Sequence, residues 1–373
     1  MTTHIRQRHA SAACIASLGM VLAAAGATAQ ITTFSVPGAG AGAFQGTRAL
    51  SQDAAGTIMG YYLDASGVSH GFLRARHGSF TTFDAPGAGT GYFQGTSPYG
   101  VNLEGAITGL YIDASNVSHG FLRAPDGSFT TIDVPGAGAG AGQGTTAGNI
   151  NPAGTILGSY IDAVNVYHCF LRTPDGSFTS IDVPGAGTGA GQGTNTTIGG
   201  NISPAGEIIG YTIDASNVNH GFLRTTDGSF TTFDAPGAGT GAGQGTTPQG
   251  VNPAGAIEGS YVDASNVMHG FLRTPDGRFT TFDAPGAGTG AFQGTGPSSL
   301  NPAGEIVGIY FDATNAFHGF LRTPGGSITT LDIPGAGTGA FQGTLAISNN
   351  AAGEIVGIYI DASGVFHGYL RTP

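Results

Sequence analysis

Apolar residues in this chain fall into short runs of four to six, rich in Ile, Val, Phe and Tyr, each closed off by Gly, Pro, Asn or Asp. That grammar predicts β-strands joined by tight turns, since β-branched and aromatic residues suit a pleated surface and the punctuating residues suit turns. After residue 30 no segment carries the three-and-four spacing of a helix. Residues 244–263 show the pattern. A weak strand over 244–252 meets the turn Asn252-Pro253-Ala254-Gly255, and a second strand runs from Ala256 to Asp263. The polar loop Asp263-Ala264-Ser265-Asn266-Val267 leads to a third strand at His269–Arg273, and a Pro275-Asp276-Gly277 turn to a fourth at Phe279–Asp283.

The pattern is periodic. Phe-Thr-Thr-Phe-Asp at Phe80 recurs at Phe129, Phe178, Phe230, Phe279 and Ile328, with a degenerate copy at Ile31; the step is 49 residues except for 52 between Phe178 and Phe230. The extra residues fall between Asn195 and Ser203. One Ile holds the same place in every unit (Ile58, Ile107, Ile156, Ile208, Ile257, Ile306 and Ile355), which marks a core column. Four strands per unit and seven units predict an all-β, seven-bladed β-propeller of four-stranded antiparallel blades. The last unit stops after its third strand, while Ile31-Thr32-Thr33-Phe34 is a fourth strand with nothing before it. The N-terminal strand is therefore expected to complete the last blade and close the ring.

Asn-Pro-Ala-Gly, then a Gly-Ile-Tyr-Ile-Asp-type strand, then His-Gly-Phe-Leu-Arg resembles the HAF-type extracellular repeat family of bacteria. The middle residue of the naming motif is Gly here, or Cys169 in the third unit. The resemblance covers residues 30–373 and implies a secreted, propeller-like protein.

Composition narrows the function classes. With 68 Gly and 19 Pro but 40% hydrophobic residues, the chain is a patterned fold rather than a low-complexity coil. All 12 basic residues are Arg, against 23 Asp and Glu, giving a net charge of −11. So few cations exclude a nucleic-acid-binding surface, which needs a basic patch. No apolar run reaches the about 20 residues of a spanning helix, so no membrane insertion of residues 30–373 is expected. Residues 1–29 pair Arg6 and Arg8 with an apolar stretch from about Cys14 to Gly26 and end in Ala27-Thr28-Ala29. This is the form of a secretory signal peptide cleaved near Ala29, which predicts a secreted or periplasmic protein.

Candidate chemistry is sparse. Pro86-Gly87-Ala88-Gly89-Thr90-Gly91 superficially matches a nucleotide-binding loop, but no helix follows and the loop recurs in each unit, so it reads as a connection between blades. The seven repeated His, from His70 to His367, each follow an Asp by six residues. That spacing could pair carboxylate and imidazole across a hairpin, either to orient a catalytic or metal-ligand His or, as sevenfold repetition favours, to brace the loop in every blade. The repeated Arg74, Arg123, Arg172, Arg224, Arg273, Arg322 and Arg371 are expected to meet Asp residues of their own blades, such as Asp126 or Asp133, or to guard strand edges. No catalytic, metal or cofactor motif stands out. Residues that break the repeat are better candidates. Glu258 occupies a column otherwise filled by Met59, Thr108, Leu157, Ile209, Val307 and Val356; it reads as a perturbed functional carboxylate or as an edge substitution.

The residue before Gln-Gly-Thr is Phe44, Phe93, Phe292 and Phe341 in units one, two, six and seven, and Gly142, Gly191 and Gly243 in the other three. In a closed ring the four Phe form one arc, thickened by Tyr92. Either the arc faces a ligand among polar loops, or each Phe folds inward between blades. These features favour a secreted, non-catalytic propeller that recognises an extracellular glycan or protein. The alternatives are a polysaccharide lyase or hydrolase with its site at the channel mouth, and a purely structural envelope component.

Overall fold

The computed structural model describes residues 29–196 and 201–373. The expected signal peptide lies outside these residues except for Ala29, as does most of the insertion after Asn195. The described residues form 28 strands and no helix. The first five set the scheme: β1 (Gln30–Phe34), β2 (Gly46–Gln52), β3 (Ile58–Leu63), β4 (Ser69–Arg74) and β5 (Phe80–Phe83). β2, β3, β4 and β5 pair antiparallel in succession. In the fifth unit the strands run Gly245–Val251, Ile257–Val262, Met268–Arg273 and Phe279–Phe282, within a residue or two of the bounds read from the sequence.

β1 does not join β2. It pairs antiparallel with the third strand of the last unit, Phe366–Thr372, in a register from Gln30↔Thr372 to Phe34↔Gly368. β2 itself packs against both Gly95–Val101 of the next unit and Gly343–Asn349 of the last. The molecule is thus an all-β, propeller-like closed ring of repeated strands. A bulge between Ala49 and Ser51 bends β2, and the same irregularity recurs between Pro98 and Gly100 and between Pro248 and Gly250. Such an extra residue raises local twist.

The core lies between units as much as within them. Phe72, Phe121, Phe170, Phe222, Phe271, Phe320 and Tyr369 are wholly buried, one per unit, beside the Ile column expected from the repeat. Val36, Ile58 and Phe72 pack with Val356 of the last unit, and Met59 packs with Ile107 and Phe121 of the second. Each sheet is therefore covered by its neighbour, as the hydrophobic effect demands of a two-faced sheet.

The Gln-Gly-Thr tripeptide makes the joint. Gly46 opens β2 at φ 106°, and a Cβ there would lie 2.2 Å from the Phe366 carbonyl oxygen. Only glycine fits that approach. The buried Thr47 hydroxyl then accepts from the Val36 N–H at 2.9 Å, and Thr96, Thr145, Thr194, Thr246, Thr295 and Thr344 repeat the bond at 2.9–3.0 Å.

Removing residues 30–36 should strip the outer strand from the last unit and uncover Phe72, against which Phe34 packs at 6.4 Å between ring centres. We expect a loss of at least about 3 kcal/mol from the burial of Phe34 and Val36, read as a lowered Tm; an unchanged Tm would show that the ring does not depend on this strand. Tyr369 carries a buried hydroxyl with no hydrogen-bond partner among the described residues, where the six other units have Phe. Tyr369→Phe should therefore raise stability by about 1 kcal/mol in urea denaturation.

Candidate functional site

Loops from the outer strand of one unit to the first strand of the next fold back onto the polar loops between second and third strands. The backbone N–H groups of Phe44, Phe93, Phe292 and Phe341 donate to the carbonyls of Gly364, Gly67, Asn266 and Asn315 at 2.7–2.9 Å. Gly142, Gly191 and Gly243 do the same to Asn116, Asn165 and Asn217. Both loop sets therefore share one face of the ring. Within the loops, the Gln94 amide oxygen accepts from the Gly91 N–H, and its NH₂ donates to Asn116 Oδ1 in the polar loop of its own unit.

These hydrogen bonds fix the backbone before each Gln in the left-handed region. The three Gly have φ of 76–79°, and the four Phe are held there too, at 60–67°. A bulky residue in this conformation costs on the order of 1 kcal/mol or more. Nor is the cost recovered by burial, because Phe44, Phe93, Phe292 and Phe341 are 64%, 54%, 79% and 62% exposed. The four occupy consecutive junctions of the ring and face outward; they do not fill gaps between units. Tyr92, also 64% exposed, packs against Phe93 with ring centres 4.1 Å apart. Its ring lies over Gly67, where any Cβ would meet it at 2.3 Å. Five other units place Asn at the position of Gly67, so the small residue and the added aromatic belong together.

A residue that sequence reasoning passed over sits at the centre of this arc. Arg48 follows Gly46-Thr47, in a column otherwise filled by Ser97, Thr146, Asn195, Thr247, Gly296 and Leu345. Its guanidinium lies 4.1 Å from the centre of the Phe366 ring and 5.4 Å from that of Tyr61, and one N–H donates to the Phe44 carbonyl at 3.1 Å. The lone cation in a neutral column was the available signal.

The His column is brought into the expected brace, with a second carboxylate added. His70 Nδ1 lies 2.9 Å from Asp84 and Nε2 3.6 Å from Asp64, and the ring stacks on Tyr62. Five more His repeat this two-Asp arrangement; in the last unit Ser35 replaces the second Asp beside His367. Burial pushes the Asp64 carboxyl up, but the N–H groups of Val68 and Ser66 and the His70 side chain outweigh it and hold the group below its ordinary value. Repeated around the ring, the brace ties each polar loop to the end of an outer strand. Among the described residues no group of three or more His, Cys, Asp or Glu is arranged to hold a metal ion.

Two expectations are corrected. The repeated Arg residues form no ion pairs with their own Asp among the described residues. Arg74, Arg123, Arg273 and Arg322 instead lie over Phe34, Phe83, Phe233 and Phe282 of the preceding unit, at 4.7–4.9 Å. Asp133 is already committed to His119, and an Arg stem packs along an aromatic ring while its charge is shared with the π face. Nor is Glu258 an edge substitution. It lies wholly buried in the strand Ile257–Val262, away from the aromatic face, and among the described residues neither carboxyl oxygen has a hydrogen-bond partner. Its carboxyl occupies the space that a Cβ on Gly250 would need, 2.7 Å from Oε1, and burial drives its pKa well above the ordinary value.

The first strands surround a central cavity of about 570 Å³. Its lining includes Leu50, Tyr61, Tyr99, Asn149, Gln249 and Ser299, a mixture of hydroxyl, amide and apolar groups. No Asp, Glu or His contributes to that lining among the described residues.

No protein-family model matches the chain. No curated protein matches it either. Among solved structures it is similar to the BP39L lectin from Burkholderia pseudomallei, at 12% identity over 85% of this chain and 94% of that one, with a TM-score of 0.54. It is also similar to puromycin hydrolase, at 13% identity and a TM-score of 0.52. There it covers 86% of this chain but only 51% of the hydrolase. The likeness is one of fold.

Glu258 allows a test by pH. Its folded-state pKa is raised, so between the unfolded value near 4.5 and the higher folded value the native state holds a proton that the unfolded chain has released. Stability should fall as pH rises through that window, by about 1.4 kcal/mol per pH unit. Glu258→Val, which copies Val307 and Val356, should remove this slope and raise stability at pH 7, measured by urea denaturation at pH 5, 6 and 7.

Proposed function

We propose that this chain is a seven-bladed propeller of four-stranded blades, exported after cleavage near Ala29, that binds an extracellular glycan through its aromatic face. The observation that carries the reading is the conformation of Phe44, Phe93, Phe292 and Phe341. Each is bulky, exposed and held at a left-handed φ that three equivalent junctions satisfy with Gly. A side chain retained at a cost to stability, with its surface in water, has a use outside the fold. Around the aromatics stand Asp carboxylates, His rings and loop amides, and aromatic anchors set among polar groups suit the alternating apolar and hydroxylated faces of a sugar. Sharing a fold with a protein named as a lectin is consistent with this use.

The test is to change Phe44, Phe93, Phe292 and Phe341 together to Gly. Because each Gly relieves a left-handed Phe and little packing is lost, Tm should stay level or rise. Retention on a glycan array should drop at least tenfold relative to the parent protein. A folded variant that still binds, or a variant that loses its fold, would return these residues to a structural role.

A further inference from the structure

The aromatic arc is made of near-equivalent junctions, but one of them differs from the rest. Between the first and second units a crevice of about 280 Å³ is lined by Arg48, Tyr61, Leu63, Ser69, Phe93 and Ser97. That volume is near the lower end for ligand pockets and suits a single small ring. Phe93 supplies an exposed aromatic wall, with the Tyr92 ring tilted against it at 51°. The Ser69 hydroxyl donates to the Thr96 carbonyl at 2.9 Å and lies 3.0 Å from Ser97 Oγ, so the polar floor is fixed by the protein itself.

Arg48 is the unusual element. The column offers Ser, Thr, Asn, Gly or Leu elsewhere, and residues 30–373 hold only ten Arg against 23 Asp and Glu. Like the seven repeated Arg, Arg48 forms no ion pair with an Asp or Glu among the described residues; unlike them, it lines a crevice beside the exposed aromatics. Its guanidinium is held by the Phe366 and Tyr61 rings and by the Phe44 carbonyl, all uncharged partners. This is a planar, oriented cation in a small aromatic-walled crevice, with its counter-charge missing. Guanidinium presents a rigid fork that matches a carboxylate.

We infer that the Arg48 crevice binds a carboxylate-bearing sugar, a uronate or sialate residue within a mostly neutral glycan. The inference rests on the glycan-binding reading above and names the sugar class for one of its junctions. The net negative charge of the chain narrows it further. A polyanion would be repelled at long range, whereas one acidic residue gains the local fork and escapes most of the repulsion at physiological salt.

The experiment is a glycan array carrying matched neutral and uronate- or sialate-terminated oligosaccharides, probed with the parent protein and with Arg48→Thr. Thr146 and Thr247 already stand in this column, so the substitution is compatible with the fold, and a melting curve checks it. The parent should prefer acid-terminated members, and Arg48→Thr should lose about tenfold or more of that preference while keeping neutral binding. Binding to neutral glycans alone, or an acidic preference that survives Arg48→Thr, would overturn the inference and leave the glycan reading standing. Binding to no glycan at all would overturn both.

Discussion

The structure depends on how one repeat unit is joined to the next. A four-stranded antiparallel sheet has two faces and two edges, and it is stable only if neighbours cover them. Here Gln, Gly and Thr in sequence perform three separate tasks at every junction. Gly lets the first strand touch the backbone of the preceding unit, as at Gly46 against Phe366. Thr then takes the otherwise unpaired N–H that follows the preceding outer strand, and Gln ties the connecting loop to the polar loop of its own unit.

A joint so constrained also dictates what can vary. The residue before Gln is locked at positive φ by its N–H bond to the previous loop, whatever its side chain. Gly is the relaxed solution there. The Phe side chains at this position are mostly exposed, and equivalent junctions carry Gly. The fold thus supplies equivalent, outward-facing positions, and a contiguous set of them carries Phe. Several weak aromatic contacts on a rigid ring can act on one polymer at once, which raises overall affinity without any single deep pocket.

Strand order, strand bounds and the closing role of Ile31–Phe34 were legible in the sequence because they depend on local turn chemistry and on a period that never drifts by more than one insertion. The surroundings of particular side chains were not. Arg123 has Asp126 and Asp133 near it in sequence, but its partner is Phe83, contributed by another unit. Glu258 read equally as a perturbed functional carboxylate or an edge substitution, because alternation along a strand says which face a residue takes, and not whether a neighbouring sheet covers that face. Arg48 was visible as a break in its column, yet its importance comes from Phe366, more than 300 positions away in sequence and adjacent only once the ring closes.

Glu258, Cys169 and the insertion after Asn195 break the repeat elsewhere, but several other breaks fall together. Gly364 and Gly67 stand where the intervening units have Asn, Ser35 replaces the Asp beside His367, and Tyr92 and Arg48 are unique in their columns. All of these lie in the last, first and second units, the stretch where the N- and C-terminal strands meet. Symmetric features such as the Asp–His–Tyr braces hold every loop alike, and seven equal copies cannot define one direction on the ring. In the proposed binding role, selectivity would therefore have to come from the departures. Where they coincide with exposed aromatics, the same short arc supplies both contact area and, in Arg48, a cation with no carboxylate partner among the described residues.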